Sequence, residues 1–363
     1  NMNANEVIAN RALELAGHAK GDYDFIHPLN HVNMSQSTND VYPTALKVAL
    51  ILELRNLIES MDYLRNSFSR KSAEFTNVIK MGRTQLQDAV PMTLGQEFAT
   101  FARMTMEDEQ RLREVLPLLC EINLGGTAIG TQLNAPAGYS KIACERLSAL
   151  TGIPFVVAED MVEATQDAGV FVMVSGVLKR VAVKLSKTSN DLRLLSSGPR
   201  AGLGEINLPP MQAGSSIMPG KVNPVIPEVV NQIAFAVIGY DMTVTMAAEG
   251  GQLQLNAFEP IIARALMMGI TQLRQACYTL ADKCISGITA NEEKLRLSVE
   301  NSIGLVTALS PMLGYENATL VAKRAQLENK TVREVVTELS LMSVEEFEAI
   351  LGDVDRLAGP PQS

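Results

Sequence analysis

The densest chemistry in the chain lies at residues 214–224, Gly-Ser-Ser-Ile-Met-Pro-Gly-Lys-Val-Asn-Pro. A serine with a lysine nearby can serve as a base or a nucleophile once its hydroxyl is made acidic enough to lose its proton. Backbone N–H groups and a neighbouring cation provide that acidity by favouring the alkoxide. Ser215, Ser216, Lys221 and Asn223 are therefore the first residues to consider. Gly214 and Gly220 permit unusual backbone angles and the motion of a lid, while Pro219 and Pro224 narrow the accessible conformers. Ile217, Met218 and Val222 are interleaved with the polar groups, as if the loop folds over something. The competing reading is a mobile surface loop.

Two other polar stretches have the right residue types to bind what such a base would act on. Residues 35–40, Ser-Gln-Ser-Thr-Asn-Asp, precede Pro43. Small hydroxyls and amides in that place are common helix caps, but together with helix N-terminal N–H groups they also make an anion pocket, and one cap needs fewer of them. Residues 82–91, Gly-Arg-Thr-Gln-Leu-Gln-Asp-Ala-Val-Pro, read as a polar loop between helices. In it Thr84 and Gln85 are uncharged donors that can hold a carboxylate or an amine. A Gly-rich stretch at 125–131, Gly-Gly-Thr-Ala-Ile-Gly-Thr, is neither GxGxxG nor a P-loop and reads as a tight turn.

Other constellations are weak. The three histidines, His18, His27 and His31, lack HExxH spacing and have no cysteine beside them, so neither a metal site nor a Ser/His/Asp triad is expected. Cys120, Cys144, Cys277 and Cys284 form no CxxC pair and read as core thiols of a reducing compartment. The net charge of −9 argues against a general nucleic-acid binder. A hydrophobic content of 47% provides a large core and excludes a disordered chain. No uncharged apolar run approaches the ~18–20 residues of a membrane span, and no signal-peptide pattern is read at the start. A cytoplasmic protein is the expectation. Asn1 is not the product of a start codon, and residues 1–11 read like mid-domain sequence, so residues are expected upstream.

The elements that must position these stretches are long helices. Leu50, Leu54, Leu57, Met61, Leu64 and Phe68 form one apolar stripe on a helix opened by Pro43. A second helix is expected over about 93–119, with Leu94, Phe98, Phe101, Leu112 and Val115 inward. A third is expected over about 159–195, through Val170, Val174, Val177, Val181, Leu185 and Leu192, ending at Ser196-Ser197-Gly198-Pro199. A fourth follows Pro227 and a fifth covers about 258–285. Shorter helices, capped at Asn317, Thr331 and Ser343, follow a linker at 286–291. Strand patterns are few, Val78-Ile79 and Phe155-Val156-Val157. The fold class is all-α, a long-helix bundle with a small helical C-terminal domain. The expected boundaries are 1–37 for the remnant of an N-terminal domain, 38–293 for the central bundle and 294–363 for the C-terminal domain, with a disordered tail at 359–361.

Taken together, GSSIMPGKVNP at 214–224, SQSTND at 35–40 and GRTQLQDAVP at 82–91, in this order, resemble the signature regions of the aspartase/fumarase superfamily, and the similarity runs over essentially the whole chain. The resemblance implies a homotetramer whose core is a bundle of about twenty long helices, with each active site shared between three subunits. It implies that Ser215 is the general base, that Lys221 and Asn223 stabilise an aci-carboxylate intermediate, and that Ser37, Thr38 and Asn39 grip the same carboxylate with support from Ser216. Thr84, with Gln85, would bind near the leaving amine. Runs 85–91 and 225–232 point to the branch that eliminates ammonia from L-aspartate to give fumarate. The implied partners are these small molecules and other copies of the chain, with no membrane. No organic cofactor is implied; a divalent metal activates some members, but no ligand cluster is apparent. Fumarases usually have a histidine at the place of Gln85, paired with an acid at the place of Glu228, so a hydratase would be missing its dyad here. The family also has an N-terminal domain with a substrate-binding Thr-Ser segment, and Asn1 lies just after where that segment should end. Another lyase of the superfamily, such as a fumarate hydratase, and a non-catalytic helical assembly protein are the alternatives.

Overall fold

The computed structural model describes residues 1–359, and the chain is all-α with a few short strands. In chain order it has α1 (Met2–Leu15), a π-helical turn (Pro28–Val32), α2 (Thr38–Glu74), β1 (Ile79–Thr84), β2 (Gln87–Thr93) and α3 (Leu94–Val115). Then come β3 (Glu121–Ile122), α4 (Tyr139–Thr151), β4 (Val156–Val157), α5 (Met161–Gln166), α6 (Gly169–Leu195) and β5 (Ile206–Asn207). The long α7 (Val225–Glu249) and α8 (Glu259–Lys283) are followed by β6 (Thr289–Ala290), α9 (Glu292–Asn301), α10 (Leu305–Leu313), α11 (Tyr315–Glu328), α12 (Val332–Glu338), α13 (Val344–Leu351) and α14 (Val354–Ala358). Residues divide into two compact units. One holds Asn1–Glu59, Asp108–Val183 and Ile233–Arg274; the other holds Ser60–Glu107, Lys184–Gln232 and the chain from Gln275 onward.

The stripe from Leu50 to Phe68 is fully buried along α2, as its four-and-three spacing demands. The helix begins five residues before Pro43, however. A proline inside a helix leaves the carbonyl four residues back without its donor. Here that carbonyl, Asn39 O, accepts instead from Asn123 Nδ2 at 3.0 Å, so the helix continues through the proline. The expected third helix is two. Asp160 caps α5 by accepting from Val162 and Glu163 N–H, and Asp167 accepts from the Gly169 N–H at 2.9 Å, a local bond that interrupts the ladder before α6 starts. The buried face of α6 carries Phe171, Val174, Leu178, Val181, Leu185 and Leu192; Val170 and Val177 sit on its flank.

The C-terminal helices α9–α14 share one core with β1, built from Ile79, Met81, Leu309, Val321, Val335 and Phe347 among others. Thr331 and Ser343 make full capping boxes with Glu334 and Glu346. Asn317 is no cap: it lies inside α11 and its amide donates to Leu313 O, while Gly314 starts the helix. Of the expected tail, residues 360 and 361 lie outside the described residues.

Helix α7 is long and apolar enough, by length and composition, to cross a membrane. Its apolar run is not uncharged, since Glu228 and Asp241 lie in it. Asp241 bonds Ser175 Oγ at 2.8 Å and Lys179 Nζ at 2.6 Å, both on α6, which marks α7 as a bundle helix. Phe235, Met242 and Met246 are nevertheless exposed along it.

Candidate active site

The start of α2 is held by an unusually complete set of bonds. Ser37 Oγ accepts from the Asn39 N–H and Asp40 Oδ1 accepts from the Ser37 N–H, a reciprocal cap. Asp40 is fully buried, and its other oxygen accepts from the Gly125 and Thr127 N–H groups at 3.1 and 2.9 Å. The Gly-rich stretch is thus a tight turn, as expected from sequence, and it cradles a carboxylate of the chain's own. Burial pushes the Asp40 carboxyl above the usual range, and the backbone N–H groups pull against that shift. Gly130 closes the turn at φ +88°, so near Met161 that a Cβ would lie 2.2 Å from its carbonyl oxygen. Asn39 Nδ2 donates to Ala128 O at 2.7 Å, tying the segment to the same turn. Ser37 and Asn39 are half-buried and Thr38 is exposed.

Farther along α2, buried Lys47 donates to Glu121 O at 2.7 Å. Burial lowers its pKa, and Glu121, Glu259, Asp167 and Glu163 oppose the shift. Glu259, at the start of α8, is pushed up to about 7 by burial, with Lys47 pulling it down. This group of charges left no local pattern in the sequence, since its members are scattered over four elements and the link between α5 and α6.

Residues 82–91 form a hairpin rather than a loop, antiparallel with Thr84 opposite Gln87 and Ile79 opposite Thr93. Gln85 (φ +53°) and Leu86 (φ +63°) occupy the two central places of its turn. Positive φ at both positions is the primed geometry that Asn-Gly usually provides. With side chains present it costs on the order of 1–2 kcal/mol per residue. Thr84 and Gln85 are exposed at this tip.

The loop at 214–223 lies in the same unit as the hairpin and bonds chiefly to itself. The Ser215 N–H donates to Lys221 O at 3.1 Å, and Ser215 Oγ accepts from the Met218 and Ile217 N–H groups at 3.0 and 3.3 Å. Two amide donors on a hydroxyl oxygen favour its deprotonated form. Ser215 and Asn223 are half-buried, Ser216 and Lys221 exposed, and Ile217 is 82% exposed. Ser37, Thr38 and Asn39 belong to the other unit. The acid candidate Glu228 faces Arg193, 3.9 Å away, in place of a histidine. Three of the four thiols are buried, with burial pushing Cys284 up to about 12. Among the described residues no group of three or more His, Cys, Asp or Glu side chains is arranged to hold a metal ion.

A long-helix chain with a serine held in this way invites comparison with lyases. The family described as Lyase matches residues 1–239, and the one described as Fumarase C C-terminus matches residues 305–357. The chain belongs to this lyase family, the aspartase/fumarase superfamily. It is 60% identical over 355 residues to an aspartate ammonia-lyase of Pseudomonas aeruginosa, spanning 98% of this chain and 74% of the relative. It is 57% identical to an aspartate ammonia-lyase of Escherichia coli over 96% of this chain and 73% of that one. Among solved structures, a fumarate lyase:delta crystallin from Brucella melitensis bound to cobalt superposes with a TM-score of 0.94 at 55% identity, covering 99% of this chain and 77% of that one. The recombinant class II fumarase of Schistosoma mansoni follows at a TM-score of 0.90 and 37% identity, covering 98% and 77%.

Proposed function

We propose that the chain catalyses the reversible elimination of ammonia from L-aspartate to give fumarate. The observation that carries the chemistry is the pair of backbone N–H groups on Ser215 Oγ, in a loop that also bears Lys221 and Asn223. The choice of aspartate is supported by relatives of that activity at 57–60% identity and by glutamine, not histidine, at position 85.

In this reading Ser215, as the alkoxide, removes a proton from the carbon beside one substrate carboxylate. The electron pair passes into that carboxylate, which becomes a doubly charged aci-carboxylate. Lys221 and Asn223 stabilise this charge as it develops, where fixed donors are most effective. Ser37, Thr38 and Asn39 hold the same carboxylate with support from Ser216. Collapse of the intermediate expels ammonia from the neighbouring carbon, near Thr84 and Gln85. No organic cofactor takes part, and a divalent metal enters no step; a role for it as an activator is kept outside the reaction.

The catalytic form is a homotetramer with a core of about twenty long helices and active sites shared between subunits. The apolar face of α7, with Met242 62% exposed, supports burial against another copy. We place the chain in the cytoplasm, with functional divisions at 1–37, 38–293 and 294–363. Absorbance of fumarate tests the function directly. Release from L-aspartate and not from malate is expected. Release from malate alone would make it a hydratase, and none from either would leave a non-catalytic assembly protein.

A further inference from the structure

We infer that Glu205, with Lys80 and Arg83, is a positioning device that holds the strained turn bearing Gln85 in place for substrate. This rests on the function proposed above, in which Thr84 and Gln85 face the leaving amine.

In a regular strand side chains alternate between faces, so Ile79, Met81 and residue 83 would all point the same way. Ile79 and Met81 enter the apolar C-terminal core, and an arginine following them would be buried among alkyl groups. The register slips between Met81 and Arg83. The extra residue of this bulge lies on β2, where Ala89 and Val90 together face Gly82, and a Cβ on Gly82 would lie 3.0 Å from Val90 O. A bulge increases the local twist and re-aims the side chains beside it. Arg83 is turned away from that apolar core, and both Lys80 and Arg83 meet Glu205, just ahead of β5. Lys80 Nζ lies 2.7 Å from Glu205 Oε2 and 2.5 Å from Glu97 Oε2, while Arg83 Nη1 pairs with Glu205 Oε1. Lys80 and Glu205 are almost wholly buried. The charges balance, two of each sign, in a place where an unpaired one would be costly.

The consequence lies one residue on. Thr84 follows Arg83 directly, and then come two residues whose positive φ values glycine would adopt freely and Gln85 and Leu86 do not. Such angles persist only where the surroundings over-determine them. Lys80 and Arg83 anchor the strand leading into the turn, and on the returning strand Asp88 Oδ2 accepts from Ser302 Oγ at 2.7 Å. The hairpin is thus fixed on both sides of its tip, with the buried Glu205 as the hub of one side.

Arg83→Met in the full-length protein is the test. Thr84 and Gln85 hold substrate in ground and transition states alike, so displacing them raises KM while kcat stands. We expect KM for L-aspartate to rise about tenfold or more with kcat within about threefold, recovery in Arg83→Lys, and partial recovery when Leu86→Gly is added to Arg83→Met, since glycine relieves the turn. Hydrogen exchange at residues 82–91 should quicken in Arg83→Met, and also in Glu205→Gln, which serves should the first variant not fold. Unchanged KM, a loss in kcat and melting temperature with KM intact, or unaltered exchange would each overturn the proposal. If the parent protein releases no fumarate from aspartate, the functional reading fails by itself, and exchange at 82–91 still decides whether the hub holds the turn.

Discussion

Two segments that share small polar residues are built in opposite ways. At 37–40 every feature is tied down: a reciprocal cap, a buried carboxylate with three backbone donors, and an asparagine reaching to Ala128. At 214–223 the bonds run chiefly within the loop, and Ile217, Met218 and Val222 face solvent. The first segment is pre-formed, so a carboxylate bound there orders little and loses little affinity to entropy. The second is largely exposed and, in the proposed function, carries the hydroxyl that acts as base, which suits a group that must close over substrate and then release product. On the proposed function, binding falls to a clamped part and chemistry to an exposed one.

That contrast can be broken most sharply at Ser215. Ser215→Ala should lower kcat by at least about a thousandfold with circular dichroism and melting temperature unchanged. A comparable rate would remove the loop from the chemistry. The rigid segment should answer in stability instead. Gly130→Ala forces a Cβ toward Met161 O at a positive φ and should cost more than about 3 kcal/mol in urea unfolding. Asp40→Asn places an NH2 group among three N–H donors and should cost about 2–3 kcal/mol, with KM for aspartate rising as well. If both variants melt like the parent, the segment is not clamped.

A smaller effect concerns pH. Glu259 holds its proton up to about 7 in the folded chain against 4.5 for an ordinary glutamate. The stability tied to its protonated form is complete below pH 4.5 and is lost as pH rises through about 7. Glu259→Gln should flatten the fall in melting temperature over that window. The smallest change belongs to the free loop: Ile217→Ser should shift stability by no more than about 0.5 kcal/mol, measured by urea midpoint.

Much of this is legible in the sequence. The stripe on α2 and the capping boxes at Thr331 and Ser343 are local patterns, and local patterns survive into the fold. Other features were not. The hairpin lacked the Asn-Gly that announces such a turn, because its geometry is imposed from outside on Gln85 and Leu86. Helix α10 was not among the expected elements, and it holds Pro311 inside it. The partners of Asp40 lie 85 and 87 residues away in sequence, beyond the reach of any periodicity. The long helices gave the bundle class, but the split between α5 and α6 turned on a single Asp167 side chain.

The bonds of Ser215 close within residues 215–221. A protease that cuts between Ser216 and Gly220 leaves in place the bonds that Asn223 O and Pro224 O accept from the N–H groups of α7. The nicked chain should therefore stay folded as two tightly associated pieces while turnover vanishes, so that intactness on a denaturing gel reports activity better than intactness in solution.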